Sequence, residues 1–163
     1  MLEIREGRAA DLPALIEIFW RGVHEGAAPR YDDAERVAWL PARPDVAAFA
    51  QRLADQTVRV AERDGAPVGF MTLRGDGYLD LAYVAPEERG QGTADALLAV
   101  LENGARAAGH TRLTARASDL ARPFLARLGW TVVAPAPQVR DGVTIRATDM
   151  MRDLGHGTAS RAA

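Results

Sequence analysis

The chain contains no cysteine and no lysine. Without cysteine there is no disulfide, no thiolate metal site and no acyl-cysteine intermediate. Without lysine there is no Schiff base, no attachment point for pyridoxal phosphate and no P-loop lysine. Serine occurs only at Ser118 and Ser160, and neither sits in a Gly-x-Ser-x-Gly turn. The three histidines, His24, His110 and His156, are far apart and show no metal-ligand spacing, so no metal is expected. No apolar run approaches the roughly 20 residues of a membrane helix. The opening residues MLEIREGRAADL carry charges where a signal peptide is apolar. A cytoplasmic protein without a membrane partner is the resulting expectation. Neither sign of charge is in excess: the net charge is −2, which gives no reason to expect nucleic acid as a partner. Most covalent routes are closed, and direct transfer between two bound substrates stays open.

What is present fits one domain. At 163 residues, with 48% hydrophobic and 26% charged residues, the chain is long enough to bury a real core. We expect a single domain over residues 1–154 and a frayed, small and polar tail over 155–163. Residues 2–5 alternate as a strand does. Asp11, Leu12 and Pro13 open a helix, with the proline in its first turn. Residues 22–30 hold two glycines and a proline and read as a loop. Residues 32–40 and 45–54 read as helices broken around Pro41 and Pro44. Three consecutive strands follow at 57–61, 68–73 and 78–84, the first two joined by the hairpin signal Asp64-Gly65. Leu97, Leu98, Leu101 and Ala105 recur on one stripe of a long helix over 92–108. A strand at 111–115, a short helix at 119–128 and closing strands at 130–134 and 143–151 complete the order. Such an order predicts a mixed α/β (α+β) architecture, a mostly antiparallel central sheet with helices on both faces.

The stretch with the most chemistry runs from Tyr83 through Pro86 to Arg89-Gly90-Gln91-Gly92-Thr93-Ala94-Asp95 and on to Leu97-Leu98. A strand ends, a glycine-containing loop follows, and a long helix starts inside it. Gly90 and Gly92 let a ligand approach the backbone closely. The first amides of the helix lack partners within it, and the helix dipole adds to their pull on an anion. On physics alone this is an anion site at a helix N-terminus, or simply a turn with two glycines. A dinucleotide-binding reading fails because Asp95 stands where a third glycine belongs, and a P-loop reading fails because no lysine follows.

These residues resemble the GNAT superfamily of acyl-CoA-dependent N-acetyltransferases. Its motif is Arg or Gln, two residues, Gly, one residue, then Gly or Ala, and Arg89, Gly92 and Ala94 fit it. Downstream, Phe124-Leu125-Ala126-Arg127-Leu128-Gly129-Trp130 is similar to the family's second acyl-CoA motif, a helix ending in Leu-Gly-aromatic. The strand order agrees with a GNAT-like fold over nearly the whole chain. The resemblance implies acetyl-CoA as co-substrate and transfer to the primary amine of a small molecule or peptide in a ternary complex. It implies that the backbone of Ala82, Tyr83 and Val84 pairs with pantetheine. It implies that the loop amides of Arg89, Gly90, Gln91, Gly92, Thr93, Ala94 and Asp95 hold the pyrophosphate. It also implies that strands 78–84 and 111–115 splay apart to admit the thioester.

One departure from the family matters. The position of the usual general-acid tyrosine is Leu125, and a nearby asparagine of many members is Ser118. A thiol has a pKa of roughly 8.5 and leaves tolerably without a donor, whereas an alkylammonium near 10.4 leaves on the order of one molecule in a thousand as free amine at pH 7. Removing that proton is the larger difficulty, and a positioned base contributes roughly 10²–10⁴-fold. Asp80, in mid-strand, is either that base or an acid paired with an arginine. By two-residue alternation it should share a face with Tyr78, Ala82 and Val84. His24 and Glu25 lie where the acceptor site usually forms, and His24 is suited to shuttling a proton. Tyr31 and Trp39 either line that site or pack beneath it. Ser118 either donates to the thiolate or caps the last helix. The acidic balance favours, weakly, a cationic acceptor. The alternative function is a non-catalytic acyl-CoA-binding module, which Leu125 supports. Acetylation of aminoacyl-tRNA is disfavoured by the lack of basic excess. The closing strands are a route to a homodimer.

Overall fold

The computed structural model describes residues 1–155. Of the expected tail only Gly155 falls within them. Strand β1 spans Leu2–Glu6, and helices α1 (Leu12–Arg21), α2 (Asp33–Trp39) and α3 (Val46–Leu53) follow it. Strands β2 (Thr57–Arg63), β3 (Ala66–Leu73) and β4 (Tyr78–Val84) lead into helix α4 (Thr93–Ala107). Strand β5 (Arg112–Ala117) and helix α5 (Ala121–Arg127) precede β6 (Thr131–Pro135), β7 (Gln138–Arg140), β8 (Val143–Ile145) and β9 (Thr148–Asp153). Seven strands form one sheet in the order β1-β2-β3-β4-β5-β9-β6, and β7 and β8 form a separate hairpin. Within the large sheet β4 and β5 run parallel and the other pairs are antiparallel.

Local chemistry explains the turns. Asp64 and Gly65 adopt φ of 53° and 85°, the twist that a two-residue hairpin requires. Asp32 caps α2 reciprocally with Glu35, and Asp45 accepts from the Ala48 amide at the start of α3. Gly109 and Gly129, both at φ of 94°, stop α4 and α5.

Alternation along the strands builds two cores. On one face, Leu97, Leu98 and Leu101 of α4 and Leu125 of α5 pack on Met71, Leu79, Leu113, Ala115 and Met150. On the other, Leu15, Ile16 and Phe19 of α1 and Phe49 and Leu53 of α3 pack on Val60, Phe70 and Leu81. Phe70 and Met71 are neighbours that point to opposite faces, as a pleated strand dictates. Helices therefore cover both faces of the sheet.

Three expectations need correction. Residues 22–30 are not simply a loop: a π-helical turn, Gly22–Gly26, extends α1. Val23 is fully buried there, and Gly22 lies against the Tyr83 ring, where a Cβ would stand 2.5 Å from Cδ1. The strand expected over 143–151 is broken at Arg146-Ala147 into β8 and β9. The Asp141-Gly142 pair, with φ of 50° and 76°, folds β7 back on β8, and Arg146 turns out to Asp119. Finally, Leu73 pairs with Leu79 and Thr72 with Leu81, so Asp80 is the extra residue of a β-bulge. The bulge breaks the alternation. Leu79 joins Ala82 and Val84 on the α4 face, and Asp80 turns toward Arg52 of α3.

Candidate active site

The loop between β4 and α4 is shaped by two glycines. Gly90 and Gly92 have φ of 78° and 80°, and Gly92 caps α4 in the left-handed conformation. A Cβ on either would meet no protein atom within 4 Å, so the space above the loop is open. The amides of Gly90, Gly92, Thr93, Ala94 and Asp95 have no acceptor among the described residues. Five unpartnered amides at a helix N-terminus are a group that can attract an anion. Arg127 of α5 pairs with Asp95 at 2.8 Å beside the mouth, and this contact holds the Asp95 carboxyl below its usual range.

Beneath the loop sits a group that alternation alone would have left on the surface. The Glu88 carboxylate is buried, accepts from the Thr93 hydroxyl at 2.7 Å and pairs with Arg63 at 3.0 Å. The Arg63 hydrogen bonds hold it well below the ordinary carboxylate range. The Glu88 charge is buried and matched by Arg63, so it leaves the open space above the loop free of an unpaired carboxylate. Replacing Glu88 with alanine leaves the Thr93 hydroxyl, 1% exposed, without an acceptor. The expected loss is about 1–3 kcal/mol from that hydroxyl alone, seen as a drop of roughly 2–4 °C per kcal/mol in a thermal melt. Because the folded pKa is depressed, the ionised Glu88 stabilises above its unfolded value of 4.5, and this contribution is lost as pH falls through the folded pKa. The gap between parent and Glu88→Gln should therefore narrow in acid. A Glu88→Ala melting temperature equal to the parent's would rule this contribution out.

The gap in the sheet lies next to the loop. Strands β4 and β5 pair at only two positions, Tyr78 with Thr114 and Leu79 with Ala115, and then diverge. A cavity of about 590 Å³ occupies the divergence and continues to the glycine loop. Ala82, Tyr83 and Val84 form its β4 wall, and Arg89, Gly90, Gly92, Thr93, Ala94 and Asp95 its upper wall. Gln91 is turned away, its side chain donating to the Glu87 carbonyl. Arg89 donates to the Gly26 carbonyl at 2.7 Å and so ties the loop to the π-helical turn. Leu125 is 2% exposed and adds only an apolar surface to this wall.

A second cavity of about 190 Å³ adjoins the first, beneath the β7–β8 hairpin. Trp39, Asp80, Tyr83, Arg116 and Ser118 line both. Burial pushes the Asp80 carboxyl up, but hydrogen bonds from Arg52 and Gln56 outweigh it and leave the pKa lowered. The Ser118 oxygen accepts from the Ala121 amide at 3.1 Å, which leaves its hydroxyl hydrogen free to donate. Burial raises the Tyr83 hydroxyl, whose ring packs 4.8 Å from Phe19. Tyr31, 2% exposed, lines the smaller cavity while its hydroxyl donates to the Arg146 carbonyl and accepts from the Asp119 amide. His24 and Glu25 line neither cavity: the His24 ring bonds the Leu40 carbonyl and packs on Trp20, and Glu25 pairs with Arg21. Sequence reasoning missed Glu88, Arg52, Arg116, Arg140 and Arg146, since isolated arginines scattered over 95 positions carry no local pattern.

Among the described residues, no helix is long and apolar enough to cross a membrane. The family described as "Acetyltransferase (GNAT) domain" matches residues 27–154. The uncharacterized N-acetyltransferase YafP of Escherichia coli K12 is 34% identical over 132 residues, which is 81% of this chain and 83% of that protein. A GCN5-related N-acetyltransferase structure from Rhodopseudomonas palustris superposes with a TM-score of 0.87 at 31% identity, covering 93% of this chain and 94% of that one. A phosphinothricin acetyltransferase from Sinorhizobium meliloti, solved with acetyl-CoA, gives 0.75 at 25% identity, covering 97% and 91%.

Proposed function

The chain belongs to the GNAT acetyltransferase family, and on that premise we propose that it transfers the acetyl group of acetyl-CoA directly to a primary amine. The observation that carries this reading is the continuity of the two cavities: the larger reaches from the five free amides to the gap between β4 and β5, and the smaller opens from that gap. Acetyl-CoA supplies the acyl group as a thioester. In this reading the amides of Gly90, Gly92, Thr93, Ala94 and Asp95 hold the pyrophosphate, those of Arg89 and Gln91 being committed to the Pro86 and Glu88 carbonyls, and β4 beside the gap pairs with the pantetheine arm. Asp80 holds the acceptor's ammonium at the junction and passes one proton through water to solvent. The freed nitrogen bonds the acetyl carbon as the carbon–sulfur bond breaks, and a second nitrogen-bound proton ends on the sulfur. The Ser118 hydroxyl, which lines the larger cavity, supplies a donor there, since Leu125 has no proton to give. His24 and Glu25 act at most by supporting the π-helical turn, because neither lines a cavity.

Thermal unfolding with and without acetyl-CoA tests the reading. Binding at about 100 times the dissociation constant adds roughly 2.7 kcal/mol, and a domain of this size gains about 2–4 °C per kcal/mol. A rise of several degrees, together with release of free thiol when an amine is added, is the expected result. A rise without thiol release from any amine would favour the acyl-CoA-binding module, for which the buried Leu125 is the supporting feature. No rise with acetyl-CoA or coenzyme A would sink both.

A further inference from the structure

The wall of the smaller cavity carries four guanidinium groups, Arg52, Arg116, Arg140 and Arg146, against one carboxylate, Asp80. Their partners differ. Arg52 is matched by Asp80 at 3.0 Å, and Arg146 by Asp119 at 2.9 Å and Glu35 at 3.2 Å. Arg116 gives only its Nε, to Asp149 at 3.1 Å, and its two terminal nitrogens have no acceptor among the described residues. Arg140 donates to the Trp39 carbonyl and to Gln138 Oε1, both at 3.0 Å. Both of these are neutral oxygens, and no carboxylate pairs with it among the described residues. Neutral oxygens therefore hold the Arg140 fork in place without cancelling its charge. The uncommitted terminal end of Arg116 and the Arg140 guanidinium, held by neutral oxygens only, line one small cavity that also contains an anion for an ammonium.

We infer that the acceptor is a small amine that carries its own acid group, a carboxylate or a tetrahedral oxoacid such as a phosphonate, bound by Arg140 and Arg116 while its amine sits against Asp80. This rests on the acetyl-transfer reading above. A planar guanidinium matches a carboxylate or phosphonate in a way that a single point charge does not. A polyamine would bring cations toward four guanidiniums, and like charges at close range oppose binding. The chain's net charge of −2 points the other way, toward a cationic acceptor, but the cavity and not the whole surface meets the acceptor. The cavity volume of about 190 Å³ suits a small molecule and not a folded partner.

The test is thiol release from acetyl-CoA with the 20 standard L-amino acids, each compared with its C-terminal amide, with 1-aminoalkylphosphonates and with spermidine. The preferred acid should exceed its amide by at least about 10-fold in kcat/KM, the scale of one hydrogen bond to a charged group. Arg140→Gln should raise KM for that acid by about 10- to 100-fold and abolish the preference over the amide. Arg116→Gln should act in the same direction. Comparing the carboxylate and phosphonate arms tells which acid is taken. Equal turnover of acid and amide, a preference for spermidine, or a preference that survives Arg140→Gln would each overturn the inference. If no acceptor turns over, the N-acetyl amino acids and their amides are compared as ligands by thermal shift with coenzyme A present. A stronger shift from the acids supports the inference, and equal or absent shifts overturn it. Failure of the acetyl-transfer reading is separate, because it appears as the loss of any shift with acetyl-CoA itself.

Discussion

Replacing Gly92 with valine is expected to abolish the rise in melting temperature that acetyl-CoA gives the parent. Valine at φ of 80° is strained, at roughly 1–2 kcal/mol for a left-handed residue, more for a β-branched one. That cost falls on the free protein and lowers its melting temperature by several degrees. The larger effect falls on the ligand. A Cβ at Gly92 meets no protein atom within 4 Å, so the new side chain projects into the space above the loop and bars approach to the five free amides. Losing two hydrogen bonds to charge, at about 1.5–3 kcal/mol each, weakens acetyl-CoA binding by at least about 100-fold. Gly65→Val is the matched control. Gly65 has φ of 85° and equally open surroundings, but it lies in the β2–β3 turn, away from the cavity. It should lose similar stability and keep its full response to acetyl-CoA. If Gly92→Val responds as fully as Gly65→Val, the loop does not hold the nucleotide.

Asp80→Asn is expected to lower kcat/KM by about 100-fold, the lower end of the range for loss of a positioned proton acceptor. The lower end applies because Arg52 and Gln56 hold the carboxyl below its ordinary range, where it attracts an ammonium strongly but retains a proton poorly. The pH profile carries the same signature. In the parent, Asp80 is ionised across the neutral range, so it sets no limb there. Activity should climb with pH toward the pKa of the acceptor's own amine, near 10.4 for an alkylammonium. A plateau reached between pH 6 and 7 would instead mean that a group titrating in that interval governs the step, and Asp80 would lose its role. Arg52→Gln offers an internal check: it weakens the grip on Asp80 and should raise the carboxyl's pKa, the opposite of removing the charge.

Much of this arrangement is legible in the amino-acid sequence. Strands β1 to β4, the stripe of leucines on α4 and the glycine loop follow from alternation, helical spacing and glycine placement, each a local rule. The misreadings have a common cause in contacts between distant residues. Gly22 to Gly26 has the composition of a loop, yet burial of Val23 and the approach of Tyr83 from β4 wind it into a π-turn. Asp80 reads as one more alternating residue, and only pairing with β3 reveals that it is an insertion. Asp141-Gly142 carries the same turn signal as Asp64-Gly65, but a strand of three residues on either side is too short to stand out from loop. Glu88 stands immediately before the recognised motif, and nothing local tells that it faces Arg63. The arginines of the smaller cavity come from α3, β5, β7 and the β8–β9 link, and only the folded sheet brings them together.

The two-residue junction between β4 and β5 also divides the protein mechanically. Strands β1 to β4 are one hydrogen-bonded block and β5, β9 and β6 another, and two residue pairs join them. Side chains of α4 and α5 bridge the blocks on one face, through the core that includes Met71, Leu79, Leu113 and Met150. Amide hydrogen exchange at those amides of Ala82 to Val84 and Ala115 to Ala117 that face the gap should therefore outrun that of amides bonded within either block. A ligand whose own amides lie along β4 closes this seam as a further strand would. In the proposed binding mode the substrate is then a structural tie between halves, and the whole sheet would open as a single unit only while it is bound.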